Sequence, residues 1–399
     1  MAKIKNTEDS IILYLLLMLS CMNFLGRGPV FFFLFCIWGW IITCNVKFHY
    51  NLSFVCTLIM SISAVIASLF YFETKDVIKA TVYFFSFDVG VKLFRGANNQ
   101  FALVKRIVFS ATIGYLINLF FLLLLNYVVL GHVAGQRQLV DFWTKDNIAV
   151  TLAGMISCVP IAYSFYCFFC KKKLRFYILG ALCVSIVFVV NLGTATRTPF
   201  LLFILVYVTM LYELFKCHYV RNRLRTILVL VIACVVLLNY LLPLFSNSAM
   251  AERFIDEGIK TSRFDLTVLY INNMLNYPWG GKYIFNSTQL LAHNVLLESF
   301  DLYGFIFFIP FVIYLCTAFG RLLKIYNVKD NNEVRILLLA VTISIIVQIF
   351  LEPVIDGYPQ LIWTLFLVDG FNLCYLKYCT ITNTLYNENS TSELCLPKR

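Results

Sequence analysis

The sequence predicts an all-α, polytopic integral membrane protein with about twelve transmembrane helices and one long external loop. Three observations point to it. Hydrophobic residues make up 61% of the 399-residue chain and charged residues only 13%, whereas a soluble domain is nearer half apolar and a quarter charged. The apolar residues come in blocks, each long enough to cross a bilayer as a helix, which takes ~20 residues. The basic residues fall in short clusters beside those blocks, where cytoplasmic Lys and Arg are expected. The formal charge of +11 therefore reads as a topology signal with anionic-lipid contact, and a nucleic-acid partner is excluded.

Cut at turn residues, the blocks run over 11–25, 29–44, 52–71, 77–93, 107–130, 147–170, 176–191, 199–215, 226–244, 303–322, 336–351 and 360–376. The block 77–93 is the least apolar, since it contains Asp88. Residues 1–10 lead into a first span that reads as retained, because the following Gly26-Arg27-Gly28-Pro29 is a turn and not a cleavage site. Most of the 14 cysteines, such as Cys158, Cys167 and Cys183, lie inside apolar blocks without metal or disulfide spacing. They read as small buried apolar residues.

Charge then orients the helices. Lys105-Arg106, Lys171-Lys172-Lys173-Leu174-Arg175, the stretch 216–225 with Arg221, Arg223 and Arg225, and the stretch 321–335 all fall on one side when the blocks are counted. By the positive-inside rule that side is cytoplasmic, and both termini lie there. The other side carries 72–76, 132–146, 191–198, 246–302 and 352–359. The chain thus divides into N-terminal transmembrane helices (1–190), a C-terminal transmembrane region (191–376) that includes the external loop 246–302, and a cytoplasmic tail (377–399). That loop is too long to be a mere connector, and its aromatic content (Phe264, Tyr270, Tyr277, Trp279, Tyr283) suggests a folded element lying partly on the membrane surface.

Three external features could carry chemistry. In Thr194-Ala195-Thr196-Arg197-Thr198-Pro199, Thr198 reads as an N-cap and Pro199 as the first helical position. Arg197 would then stand at a helix N-terminus that already favours an anion, facing either an anionic ligand or lipid phosphate. In Ser262-Arg263-Phe264-Asp265, a capping-box-like pattern puts Arg263 at a second helix start. Two such Arg could hold a diphosphate through their planar donor forks, although a solvated Arg263 paired with Asp265 or Glu257 is the plainer arrangement. Third, His293-Asn294 precedes Glu298 at the end of the long loop. A histidine can accept a proton from a sugar hydroxyl near neutral pH, with Asn294 orienting the ring or a sugar; an interfacial histidine is the alternative. Between the last two lies Tyr277-Pro278-Trp279-Gly280-Gly281-Lys282-Tyr283, a tight turn. Its Trp279 either stacks on a sugar or anchors at the interface.

The order of these features, an Arg before a span, a long loop with an Arg-bearing helix and a Pro-x-Gly-Gly turn, then His-Asn before the next span, resembles the bacterial O-antigen polymerase and ligase family. The resemblance covers about residues 191–359. Its most specific piece is His293-Asn294 with Leu297 and Gly304. The sequence departs from the family in having Phe264 and Leu266 where a Trp often follows the loop Arg, in lacking a second Gly within Phe305-Ile306-Phe307-Phe308, and in lacking an Arg-x10-Gly pattern in its external loops. The resemblance implies a GT-C-like glycosyltransferase of the bacterial inner membrane that needs no metal and no cofactor. Its donor would be an oligosaccharide on undecaprenyl diphosphate, and its partners a chain-length regulator and a flippase. His293, Arg197 and Arg263 would be catalytic; Asn294, Trp279, Tyr283 and Glu298 would bind substrate. An O-antigen polymerase is expected ahead of a ligase that transfers polymer to lipid A–core, because the long loop suits recognition of one repeat unit. The rival from another class is a flippase for the same lipid-linked sugar, which should place cationic or polar residues at the membrane midplane. Against it, the blocks are nearly free of Lys and Arg, and their main charges are Asp88, Glu213 and Asp369.

Overall fold

A computed structural model describes residues 7–71, 74–131, 138–216, 263–288, 292–328 and 332–394. The described helices are α1 (Thr7–Cys21), α2 (Gly28–Ile42), α3 (Leu52–Tyr71), α4 (Thr74–Gly96), α5 (Gln100–Leu123), α6 (Thr151–Cys170), α7 (Leu174–Gly193), α8 (Thr198–Lys216), α9 (Arg263–Asn273), α10 (Tyr283–Thr288), α11 (Val295–Asn327), α12 (Glu333–Leu351) and α13 (Pro359–Leu394). Among them, seven helices (α3, α5 with its continuation to Val129, α6, α7, α8, α11 and α12) are long and apolar enough to cross a membrane, and α1 and α2 are shorter apolar helices. The chain is a multi-pass membrane protein. The expected span 226–244 lies outside the described residues.

The helices least suited to lipid occupy the centre. α4 and α13 pack on each other. A Cβ on Gly90 would lie 2.3 Å from the Leu367 carbonyl oxygen, and one on Gly370 would lie 2.7 Å from that of Phe87. Small residues let the two backbones touch, as at other membrane helix crossings. α2 and α3 flank α4, and α11 packs on α3, so Ser86, Asp88 and Lys92 of α4 are buried. Asp88 pairs with Lys92 at 3.3 Å, both 2% exposed, and accepts the Trp40 indole N–H at 3.0 Å. Asp369 on α13 is held by Nε and Nη2 of Arg321 and accepts the Tyr314 hydroxyl at 2.9 Å. On the other flank, Glu213 of α8 pairs with Arg335 of α12 at 2.7 Å, and Arg335 also donates to the Ile325 and Tyr326 carbonyls that end α11.

These pairs correct two expectations. Arg321 and Arg335 do not belong to a basic loop: each lies within a helix, and the connection is only residues 328–332. The spans are also not short of cations, since Lys92, Arg321 and Arg335 pair with Asp88, Asp369 and Glu213 respectively. Partners as far apart in the chain as Arg321 and Asp369 cannot be matched by local spacing.

The loops sort to two ends. At the basic end Glu333 bridges Lys105 and Lys171 at 2.6 and 2.7 Å, which brings three of the predicted clusters together; the side chains of 216–225 lie outside the described residues. At the opposite end the α1–α2 turn meets a short antiparallel hairpin, β1 (Gln138–Val140) with β2 (Asn147–Ala149), an exception to the all-α expectation. It covers residues 147–149, which were expected to begin a span. The buried Asn126 side chain holds it in place by bonding both the N–H and the carbonyl of Val140, and Asp141 turns the chain by accepting the Trp143 and Thr144 N–H groups. Other boundaries differ as well: α4 begins at Thr74 and α5 at Gln100, ahead of their expected blocks. Residues 295–302, expected in the loop, form the first turns of α11, and 377–394, expected as a tail, continue α13 as helix.

Candidate functional site

The end of the bundle opposite the basic clusters gathers the expected chemistry around Glu352. This residue leaves α12 in an extended conformation, and its side chain is 1% exposed. Its Oε1 accepts the Thr198 hydroxyl at 2.9 Å. Its Oε2 lies 3.4 Å from Nδ1 of His293, whose side chain is 28% exposed. A carboxylate on Nδ1 fixes the ring tautomer with the proton on that nitrogen. Nε2 is then the ring atom left to accept a hydrogen bond.

The segment before α8 is shaped to deliver Thr198. Thr196 N–H bonds back to the Asn191 carbonyl, the Thr194 and Thr196 hydroxyls meet at 2.6 Å, and Ala195 takes a left-handed φ of 52°. The first helical bonds of α8 run to the Arg197 carbonyl. Arg197, not Thr198, is therefore the capping position, and the Thr198 hydroxyl is released to reach Glu352. Arg197 stays at the helix N-terminus, as its sequence context predicts, and is partly exposed.

Loop 352–358 is held in place by Glu298. Its Oε2 accepts the N–H groups of Val354 and Ile355 at 2.7 and 2.9 Å, and its Oε1 that of Asp356 at 2.7 Å. Expected to contact substrate, this carboxylate is instead buried and occupied by backbone, so it acts by positioning the loop that carries Glu352. Lys282 adds a bridge to Asp356 at 2.8 Å, and the Tyr358 hydroxyl ties the far side of the loop to the Cys21 carbonyl at 2.6 Å.

Asn294 caps α11, accepting the Leu296 N–H at 2.8 Å. This commits its carbonyl oxygen to the helix and leaves its amide group as the donor it can offer beside His293. Trp279 and Tyr283 sit farther along the same end. Gly304 interrupts α11 with φ 71° and ψ −170°, and the turn 278–282 docks there. Phe305 N–H bonds to the Pro278 carbonyl, Gly281 N–H to that of Leu302, and Lys282 N–H to that of Asp301. A Cβ on Gly304 would lie 2.5 Å from the Pro278 oxygen, so the Pro-x-Gly-Gly turn and Gly304 form one structural unit. Trp279 is left 63% exposed, while Tyr283 stacks on Tyr277 at 5.5 Å. Arg263 opens α9, but its side chain lies outside the described residues, as does Ser262. α9 is anchored by Tyr270 in a small apolar core with Ile284, Ala292, Leu297 and Phe300.

Sequence reasoning missed Glu352, although a carboxylate followed by Pro353 at the end of an apolar block was a visible signal. It also missed the bridge between Lys282 and Asp356. Among the described residues no three His, Cys, Asp or Glu side chains converge as a metal site would require. No protein-family model and no curated protein matches the sequence.

Proposed function

We propose that the chain is a glycosyltransferase of the O-antigen polymerase and ligase family, acting as the polymerase that joins undecaprenyl-diphosphate-linked repeat units on the periplasmic face of the inner membrane. The observation that carries this reading is the His293–Glu352 pair, joined through the same carboxylate to Thr198 beside Arg197. In the reaction, an acceptor sugar hydroxyl attacks the anomeric carbon of the donor, and His293 Nε2 takes the hydroxyl proton. The bond from the anomeric carbon to the diphosphate oxygen breaks, and Arg197 and Arg263 stabilise the charge that develops on the leaving diphosphate. Glu352 holds the ring and stabilises its cationic form. Twelve spans, a GT-C-like arrangement and cytoplasmic termini belong to the same reading. The pairing of Lys92, Arg321 and Arg335 with carboxylates argues against a flippase, because those buried cations are already neutralised.

The test is complementation in a deletion strain, with expression confirmed and lipopolysaccharide examined by electrophoresis. The deletion should leave core carrying a single repeat unit; bare core with polymer on its lipid carrier would assign the ligase. His293→Ala, Arg197→Ala and Arg263→Ala should each reproduce the deletion, and loss of a general base should cost on the order of 10²–10⁴-fold in transfer rate. Full ladders from all three would overturn the catalytic assignment.

A further inference from the structure

We propose that His49, Arg95 and Lys377, at the basic end of the bundle, form a site for the phosphate group of an anionic phospholipid. Three separate elements supply them: the α2–α3 connection, the last turn of α4, and α13. The Lys377 ammonium lies directly on Nε2 of His49, and Arg95 reaches the Lys47 carbonyl beside it at 3.3 Å. Six cations elsewhere in the bundle, Lys92, Lys105, Lys171, Lys282, Arg321 and Arg335, have carboxylate partners. Among the described residues no carboxylate lies within ion-pair distance of Arg95 or Lys377. The nearby Asp88 is already occupied by Lys92 and the Trp40 N–H.

Gathering like charges without a counter-charge is unfavourable, and an anion reverses the sign of the effect. Burial, and then the charges of Lys377 and Arg95, hold the His49 imidazole below its ordinary value of 6.5. The group therefore adapts to the crowding by staying neutral, and a bound phosphate would let it protonate.

The surroundings select the source of the phosphate. Tyr50 is 75% exposed next to His49, and Tyr378 is 42% exposed next to Lys377. Exposed tyrosines at the ends of apolar stretches mark the depth of the lipid headgroups. Arg95 supplies a planar fork and Lys377 a point charge, the pair of donors suited to a phosphodiester. Basic pockets between membrane helices bind anionic headgroups on this principle. The inference does not depend on the reaction proposed above.

The experiment uses the full-length purified protein in detergent micelles doped with phosphatidylglycerol or with phosphatidylcholine, reading the thermal unfolding midpoint and lipid retention by native mass spectrometry. Phosphatidylglycerol should raise the midpoint and stay bound. Arg95→Gln with Lys377→Gln should lose most of both effects, while Lys172→Gln with Lys173→Gln, which removes the same charge elsewhere on that end, should keep them. If the first double variant does not fold, His49→Gln, read by retention, should show the same loss. An equal effect of the two lipids on the wild type, or an equal loss in the Lys172 and Lys173 control, would overturn the site. A shift reproduced by millimolar inorganic phosphate without lipid would overturn the assignment to a lipid.

Discussion

Glu298→Gln is the sharpest probe of how the candidate site is held together. The carboxylate accepts three backbone N–H groups from consecutive residues of loop 352–358. A glutamine offers one oxygen and one donor in the same space. In its better orientation the oxygen keeps Val354 and Ile355, and the new NH2 faces the Asp356 N–H, which is also a donor. One bond to a charged group, worth ~1.5–3 kcal/mol, is lost, and two others fall to the ~1 kcal/mol of neutral bonds. Removing a buried charge returns part of its desolvation cost, so a net loss of ~2–4 kcal/mol is expected. The damage should be local, because α11 and α12 remain packed. Amide hydrogen exchange should show residues 354–356 losing protection while the helices keep theirs. If the chain is the proposed polymerase, the polysaccharide ladder should shorten or vanish because Glu352 no longer meets His293. Unchanged protection with a full ladder would refute the clamp. Unchanged protection with a lost ladder would return Glu298 to the substrate-contacting role its position in the sequence suggested.

Gly304→Ala should destabilise the protein by ~1–3 kcal/mol from its backbone conformation, with a further cost from the contact at the Pro278 oxygen. A cysteine placed at Trp279 should then react faster with an impermeant thiol reagent, and an unaltered rate would show that the turn is not held at the kink. Arg335→Met leaves Glu213 buried without its cation and should cost ~3–5 kcal/mol, with Arg335→Met plus Glu213→Leu recovering much of it. Thermal unfolding in detergent reads both, and a double variant no more stable than the single one would contradict the pairing.

The membrane character of the chain was legible because it needs only composition and block length: bilayer thickness imposes a length that no local packing choice alters. The hydropathy blocks anticipated the seven helices long and apolar enough to cross a membrane, and the co-location of Lys105, Lys171 and the start of α12 was readable from alternation alone. α4 was hard to read for the converse reason. Its charges disqualify it by hydropathy, and only the enclosing helices and its contact with α13 make it admissible. Within the site, His293 and Arg197 stood out in the sequence because each precedes a helix, and helix starts have local signatures. The meeting of His293 and Thr198 at Glu352 did not stand out, since at least two spans separate each of them from that residue in the chain. Glu298 shows the limit most clearly. Its residue type and its place beside His293-Asn294 suit contact with a sugar equally well, and what decides its role is the arrival of three N–H groups from 56 to 58 residues away. Local pattern determines which segments cross the membrane and where helices begin, because those depend on neighbours in the chain. Which carboxylate meets which cation, hydroxyl or amide was decided by tertiary packing, because those partners become neighbours only when the helices assemble.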